Sequence, residues 1–204
     1  VTLQDNFLKG LVDRMNFFPG VDACGPLILE GNSYGTPVKV QNYRLFMDFP
    51  RARKQSPDAG QELQSPDELP ASAAVDYLSG VALMFRTSVL QETGLWDEQL
   101  FLYGEERDYF YRFARAGHRA MVTRYAVCHH LNNARISDAV AWQRTYYYLR
   151  RNRVLYFRKY HFKKGLALFL LQEVVQLPVS FVWCLQKGGL RMFYTWWLGI
   201  LHGL

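Results

Sequence analysis

The segment Gly94–Asp108 reads Gly-Leu-Trp-Asp-Glu-Gln-Leu-Phe-Leu-Tyr-Gly-Glu-Glu-Arg-Asp and is the part of the chain richest in chemical groups. It holds five carboxylates within twelve positions, interleaved with aromatic rings. Crowded carboxylates beside apolar rings raise one another's pKa, which suits a general base. Aromatic faces also form good platforms for sugar rings. The carboxylates are Asp97, Glu98, Glu105, Glu106 and Asp108, and the rings are those of Trp96, Phe101 and Tyr103.

The same carboxylates have a structural alternative. The pattern predicts a helix over residues 105–116, and acids in a first helical turn favour the helix dipole. Asp108 can also pair with Arg112 at i+4. Composition alone therefore leaves helix capping and catalysis open.

Toward the N-terminus, the apolar spacing from Leu8 to Met15 predicts a short amphipathic helix that Pro19-Gly20 ends. Residues 23–29 then predict a short buried strand. The stretch 51–72 is rich in Pro, Ser, Asp and Gln, which predicts an exposed, mobile loop.

Residues 75–85 predict a strand broken at Ser79-Gly80, where the glycine indicates a bulge or the close approach of a ligand. Ser88 is a predicted helix N-cap with Gln91 completing a capping box, and Gly94 ends that helix. Residues 120–128 predict another strand, which leads into His129-His130.

Charge is distributed unevenly along the 204 residues, whose net charge is +6. From residue 137 onward there are ten basic and two acidic residues, a net charge of +8, which leaves −2 for residues 1–136. A tail this basic favours an anionic surface or ligand, such as phospholipid, nucleic acid or a nucleotide diphosphate. The three cysteines show neither a disulfide framework nor zinc spacing, which fits a reducing compartment.

A long helix is predicted from Ser137 to Tyr160, and a mostly apolar stretch follows at 165–185. Gln172, Glu173 and Gln176 interrupt that stretch, and each would be costly at the centre of a bilayer. The pattern favours a helix lying in the membrane interface over one that crosses it.

Four linked motifs, taken together, resemble the acceptor-side half of the bacterial family-2 glycosyltransferases of GT-A type. The closest similarity is to rhamnosyltransferase-like enzymes of cell-wall and surface-polysaccharide synthesis. The motifs are Val75–Gly80, Gly94–Glu98, Phe101–Asp108 and Arg112–Gly117.

This resemblance implies an α/β fold: part of a GT-A, Rossmann-like mixed sheet with flanking helices, followed by an amphipathic helical tail. It implies two regions, the acceptor-side half at 1–136 and a basic, aromatic, membrane-associated tail at 137–204. The family's metal-binding Asp-x-Asp is absent from this sequence. We therefore expect the donor-binding half upstream of Val1 and the 204 residues alone to be inactive.

The resemblance also implies roles for individual residues. The family's general base falls on Glu106, where Glu replaces the usual Asp, and Glu105 and Asp108 would orient the site or bind acceptor hydroxyls. The base would deprotonate an acceptor hydroxyl that displaces the nucleotide and inverts the anomeric carbon. The expected substrate-binding residues are Asp76, Ser79, Gly80, Trp96, Asp97, Glu98, Tyr103, Gly104, Arg151 and Arg153.

A divalent cation, Mg²⁺ or Mn²⁺, is implied by the same resemblance. His129 is the expected protein ligand within this sequence and His130 the fallback, with the Asp-x-Asp ligands expected upstream. On sequence alone the histidines could equally be a pair at the end of a strand.

The expected partners are a nucleotide-diphosphate sugar donor, a glycan or lipid-linked acceptor and an anionic membrane surface. Nucleic acid is not expected, because no recognition motif accompanies the basic residues. The expected location is the cytoplasmic face of the bacterial inner membrane, as a peripheral protein. The alternative function is a non-catalytic, membrane-bound binding or scaffold module derived from the same fold.

Overall fold

The structure is a computed structural model that describes residues 1–31, 37–131, 139–187 and 189–204. The chain forms two compact units. The first unit contains the described parts of Val1–Met47, Lys54–Leu95 and Tyr109–Asn133, and the second those of Asp48–Arg53, Trp96–Asp108 and Ala134–Leu204. The expected boundary between residues 136 and 137 lies outside the described residues.

A seven-stranded mixed sheet organises the first unit, as far as it is described. The described strands of the chain are β1 Thr2–Leu3, β2 Ala23–Glu30, β3 Val38–Asn42, β4 Phe46–Asp48, β5 Arg53–Gln55, β6 Glu62–Leu63, β7 Ser72–Val75, β8 Met84–Phe85 and β9 Ala120–His130. The path of the large sheet runs β1-β9-β2-β3-β6, with β7 paired to β9 and β8 to β2, while β4 and β5 form a separate two-stranded sheet.

The sheet is mixed because β2 and β9 run parallel, whereas the other described pairings within it are antiparallel. Seven consecutive residues of β2 are buried, as expected for a central strand covered on both faces. Helix α1, Phe7–Phe17, buries Leu11 and Met15 in a core with Cys24, Ile28 and Cys128. The predicted α/β class, with a mixed sheet and flanking helices, is confirmed.

Two further helices follow, α2 at Thr87–Thr93 and α3 at Glu105–Arg115. Helix α2 begins two residues earlier than expected, with Arg86 at the N-cap and no side-chain capping hydrogen bond, so the prediction of Ser88 as N-cap is wrong. The Arg86 guanidinium instead donates to the Val21 and Met15 carbonyls. The predicted end at Gly94 is confirmed by its φ of 79°.

The segment 75–85 is not one broken strand. Ser72–Val75 and Met84–Phe85 belong to different pairings, β7 with β9 and β8 with β2, so the chain changes partner between them. The prediction of an exposed loop over residues 51–72 is also wrong in part. Asp58 is fully buried and accepts a hydrogen bond from Arg44. Leu63 is buried in β6, which pairs with β3 and extends the edge of the sheet.

Four helices complete the second unit: α4 Ala139–Lys159, α5 Lys163–Val175, α6 Leu177–Lys187 and α7 Gly189–Gly203. Helix α7 packs along α4, where Gly199 meets the Tyr147 carbonyl and Gly203 meets Val154. The helical tail is therefore confirmed, although its expected start at Ser137 lies outside the described residues.

Among the described residues, no single helix is long and apolar enough to cross a membrane. The pair Lys163–Val175 and Leu177–Gln186 passes that test jointly by length and composition, but the two helices meet at an angle of 61°.

Candidate active site

The candidate site is built around the start of α3, where the chain enters the helix through two residues with positive φ. Tyr103 has φ 65° and Gly104 has φ 104°. A left-handed conformation at Tyr103 is strained for a side chain of this size. Surrounding contacts therefore have to hold this turn in place.

Asn152 of α4 supplies such contacts from a nearly fully buried position. Its Nδ2 donates to the carbonyl oxygens of Leu102 at 2.8 Å and Tyr103 at 2.9 Å, and its Oδ1 accepts from Arg151 at 3.0 Å. The amide thus uses its donors to fix the turn that leads into Glu105 and Glu106, while its oxygen accepts from Arg151.

Asp108, one helical turn further along α3, is fully buried and held by the C-terminal end of α4. Tyr160 Oη donates to its Oδ1 at 2.6 Å, and Lys159 Nζ lies 2.7 Å from the same oxygen. Lys159 Nζ is also 2.6 Å from Oδ2 of Asp97. Lys159 therefore joins two of the predicted site carboxylates through one ammonium group.

Glu105 is half-buried, and its pKa is raised above the ordinary value by burial and then by the neighbouring charge of Glu106. Its Oε2 is buried without a hydrogen-bond partner among the described residues. A carboxyl with a raised pKa is better matched to proton transfer near neutral pH than an ordinary one. The expected crowding of carboxylates is therefore present, and Glu105 carries the resolved shift.

Of the predicted arginines, Arg151 donates to the Gln99 carbonyl at 2.9 Å, so it orders the segment before α3. Arg153 lies over the rings of Phe157 and Phe169, and its pKa is lowered to about 10 by burial and then by Arg107. Two neighbouring guanidiniums, with little water to screen them, create a positive potential beside the start of α3.

The remaining predicted site residues of the second unit are more exposed to solvent. Trp96 and Glu98 are exposed, and Tyr103 Oη lies 3.3 Å from Thr145 Oγ1. An exposed indole next to carboxylates retains the features expected of a sugar platform.

Asp76, Ser79 and Gly80 belong to the first unit, between β7 and β8. Asp76 is exposed, and its Oδ2 accepts from the Met47 backbone at 3.1 Å. Ser79 is half-buried and Gly80 is exposed. Their assignment to substrate binding stays a prediction.

The sequence predicted that His129 and His130 follow a strand. In the structure both residues belong to β9 and form its end. His129 is buried, with its Nε2 3.2 Å from Gln4 Nε2, and His130 Nδ1 lies 3.0 Å from Gln41 Oε1. Burial lowers the pKa of His130. No group of three or more His, Cys, Asp or Glu side chains among the described residues could hold a metal ion.

Three residues that organise the site are not among the site residues predicted from the sequence: Asn152, Lys159 and Tyr160. They lie at i, i+7 and i+8 on one face of α4 and its C-terminal extension, and each contacts the segment 97–108. An uncharged Asn within a run of arginines was the available signal. The resulting site has a half-buried carboxyl with a raised pKa and keeps neighbouring acids fixed, and both features suit general base catalysis.

The sequence matches a family model described as Glycosyltransferase like family 2 over residues 39–148. A search of curated proteins found no match. A crystal structure of GalNAc-T7 with UDP, GalNAc and Mn²⁺ is similar over 75% of this chain, with 14% identity and a TM-score of 0.47. The aligned chain spans 32% of the length of that protein.

Proposed function

The chain belongs to Glycosyltransferase like family 2, whose model covers the carboxylate segment 97–108, and on that premise we propose that it serves inverting sugar transfer. The donor is a nucleotide-diphosphate sugar, with rhamnose a candidate sugar. The acceptor is a hydroxyl of a lipid-linked or polysaccharide glycan in bacterial cell-wall or surface-glycan synthesis.

In the proposed reaction, Glu106 takes the proton of the acceptor hydroxyl. The hydroxyl oxygen forms a bond to the anomeric carbon, and the bond from that carbon to the diphosphate oxygen breaks. The nucleotide diphosphate leaves with the electron pair, so one displacement inverts the centre. Glu105 and Asp108 orient the site.

The observation that carries this proposal is the organisation of the α3 start. Asn152 fixes the turn at Tyr103, Tyr160 and Lys159 fix Asp108, and Glu105 has a raised pKa. Catalytic groups need this support, because a misplaced base loses much of its effect. Helix capping alone does not require contacts from three residues of α4 and the position that follows it.

The family resemblance also implies Mg²⁺ or Mn²⁺ on the donor diphosphate, with His129 as one ligand. The described residues hold no cluster that fits a metal on its own, so no step here is assigned to the ion. We expect His129→Ala to weaken Mn²⁺-dependent nucleotide-diphosphate binding more than His130→Ala in the full-length protein. A larger effect of His130→Ala would move the proposed ligand by one residue.

A membrane-bound location, on the cytoplasmic face as a peripheral protein, is part of the same proposal. Leu171, Val175 and Val179 are exposed, and the basic side chains of Lys163, Lys164 and Arg191 accompany these helices. Apolar and basic groups together bind anionic bilayers more firmly than either alone.

Sugar transfer is tested with the full-length gene product containing this chain. It is incubated with a panel of nucleotide sugars and a lipid-linked glycan, and release of the nucleotide diphosphate is measured. We expect Glu106→Gln to lower kcat by roughly 10²–10⁴ with little change in donor affinity. The 204 residues alone are expected to give no turnover, since the sequence lacks Asp-x-Asp.

Two outcomes would contradict this assignment. Near-normal turnover in Glu106→Gln would move the base to another carboxyl, with Asp108 the next candidate. Donor or acceptor binding without turnover by the full-length protein would favour the alternative, a non-catalytic binding module.

A further inference from the structure

A groove of about 800 Å³ lies within the second unit, between the segment 97–100, the C-terminal end of α4 and the start of α5. This volume falls within the range of small-molecule sites, roughly 300–1,000 Å³, and exceeds what a single phosphate ion needs. Of the carboxylate segment, Asp97 lines the groove together with its partner Lys159, whereas Glu106, the proposed base, is not among the lining residues.

Basic side chains line one part of the groove: Arg158, Lys159, His161 and Lys163. Lys159 forms ion pairs with Asp97 and Asp108, whose carboxylate oxygens lie 2.6 and 2.7 Å from its Nζ. Arg158 donates to the Gly203 carbonyl at 2.8 Å, which leaves its charge uncompensated by that contact. Among the described residues, the ion pairs found do not include Arg158 or Lys163.

The N-terminus of α5 adds to this positive potential. Helix α5 has 13 residues and begins at Lys163, and Phe162 at its N-cap has no polar side chain to accept from the first turn. The positive end of the helix dipole therefore acts in the same place as the side-chain charges.

The other part of the groove is apolar, with Leu100, Leu155 and Leu166 among its lining residues. Leu166 lies in the first turns of α5, and further along that helix Leu168, Leu171 and Val175 are exposed. Since these three residues are at i, i+3 and i+7, they share one face, which lies about half a turn around α5 from Leu166. The apolar part of the groove is therefore supplied by its own three leucines and not by that face.

We propose that this groove binds the phosphate or diphosphate end of an amphiphilic molecule, whose apolar chain begins against the leucines of the groove. Arg158 and Lys163 bind the anion, and the leucines contact the first part of the chain. A nucleotide fits less well, because Phe157, the one aromatic ring lining the groove as described, is only 1% exposed and offers no face for a base to stack on.

Identifying this amphiphile as the sugar acceptor rests on the proposed glycosyl transfer, whereas its binding does not. Lys159 lines the groove and touches Asp108, which lies two residues from Glu106. A phosphate in the groove would therefore place the rest of an acceptor beside the carboxylate segment.

The test is isothermal titration of the protein with farnesyl diphosphate below its micelle concentration. EDTA is present, so that no metal ion mediates the contact. Inorganic pyrophosphate, farnesol and UDP are titrated separately. We expect farnesyl diphosphate to bind at least about tenfold more tightly than each of the three, because it alone uses both parts of the groove.

Lys163→Glu should weaken farnesyl diphosphate binding by about tenfold or more, since it replaces an attraction by a repulsion. Lys164→Glu is the matched control, because Lys164 is its exposed neighbour on α5 and does not line the groove. Arg158→Gln should also weaken binding, and circular dichroism reports whether each variant is folded.

Equal affinities of Lys163→Glu and Lys164→Glu would overturn the proposal. So would pyrophosphate binding as tightly as farnesyl diphosphate, which would mean a site for free phosphate, or tighter binding of UDP, which would mean a nucleotide site. The titration contains no sugar donor, so a negative result leaves the transfer assay to decide the proposed function separately.

Discussion

Tyr160 donates its phenolic hydroxyl to Oδ1 of the fully buried Asp108 at 2.6 Å. This bond joins the residue just after α4 to the first turn of α3. A hydrogen bond to a charged acceptor contributes more than a neutral one, about 1.5–3 kcal/mol.

Tyr160→Phe should therefore lower the free energy of unfolding by about 1–3 kcal/mol, because Asp108 loses one buried partner and keeps Lys159. Urea denaturation measures the change. Tyr194→Phe is the control, since Tyr194 is 66% exposed. Equal stability of the two variants would mean that the hydroxyl of Tyr160 contributes nothing to holding Asp108.

Asn152→Ala should have a local effect on the turn before α3. It removes the donors to the Leu102 and Tyr103 carbonyls, and we expect faster hydrogen exchange of the amides from Tyr103 to Glu106. The cost in stability should be about 1–3 kcal/mol, because two buried carbonyls lose their donor. Asn16→Ala, at an exposed position of α1, is the control. Unchanged exchange in that turn would argue against Asn152 as its support.

Glu105 makes stability depend on pH in a predictable direction. Its pKa is raised in the folded state above the ordinary 4.5, so the folded state retains a proton that the unfolded state releases. Stability should fall as the pH rises from about 4.5 through the folded-state pKa, and the loss should persist above it.

Glu105→Gln should remove this dependence, and the variant should gain stability relative to the wild type as the pH rises from 4 to 7. Thermal unfolding at several pH values measures the difference. Glu62→Gln, at an exposed position of β6, is the control. A constant difference between Glu105→Gln and wild type across this range would contradict the raised pKa.

Membrane binding is best tested by substitutions on the helical surface. Val175 and Val179 are 70% and 72% exposed, and replacing both by Asp should abolish co-sedimentation with anionic vesicles without disturbing the core. High salt should weaken wild-type binding only partly, because apolar contacts remain. Val12→Asp on α1 is the control. Binding by the double variant equal to wild type would mean that another surface contacts the bilayer.

Deleting the chain after His161 would be a less specific experiment than these substitutions. Helix α7 packs on α4, and Arg158 donates to the Gly203 carbonyl. Removal of α7 would therefore expose the face of α4 that packs against it, and α4 carries Asn152. Loss of vesicle binding would then follow from unfolding as readily as from loss of a membrane contact.

Local sequence patterns predicted α1, β2, α3 and β9 closely, because burial and helix-ending glycines are properties of short segments. They failed at residues 75–85, since the choice between β2 and β9 as partner depends on the whole sheet. They failed at Ser88 for a similar reason, because Arg86 is held by carbonyls from distant segments.

For the site, the carboxylates were visible in the sequence but their supports were not. Asn152 lies about fifty positions from Tyr103, and Tyr160 lies 52 positions from Asp108. No spacing rule covers such distances. The sequence also did not show that the basic residues of α4 differ in position: Arg150 and Arg153 are half-buried, while Arg158 and Lys159 line the groove.

The uneven arrangement of aromatic residues has a spectroscopic consequence. All five tryptophans, at positions 96, 142, 183, 196 and 197, fall in the second unit. The Arg150 guanidinium lies 3.2 Å from the centre of the Trp196 ring, which also donates to Glu173. Selective excitation of tryptophan therefore reports on the second unit alone, and the first unit contributes no emission. Far-ultraviolet circular dichroism detects both units, so the two signals can separate their melting within the intact chain.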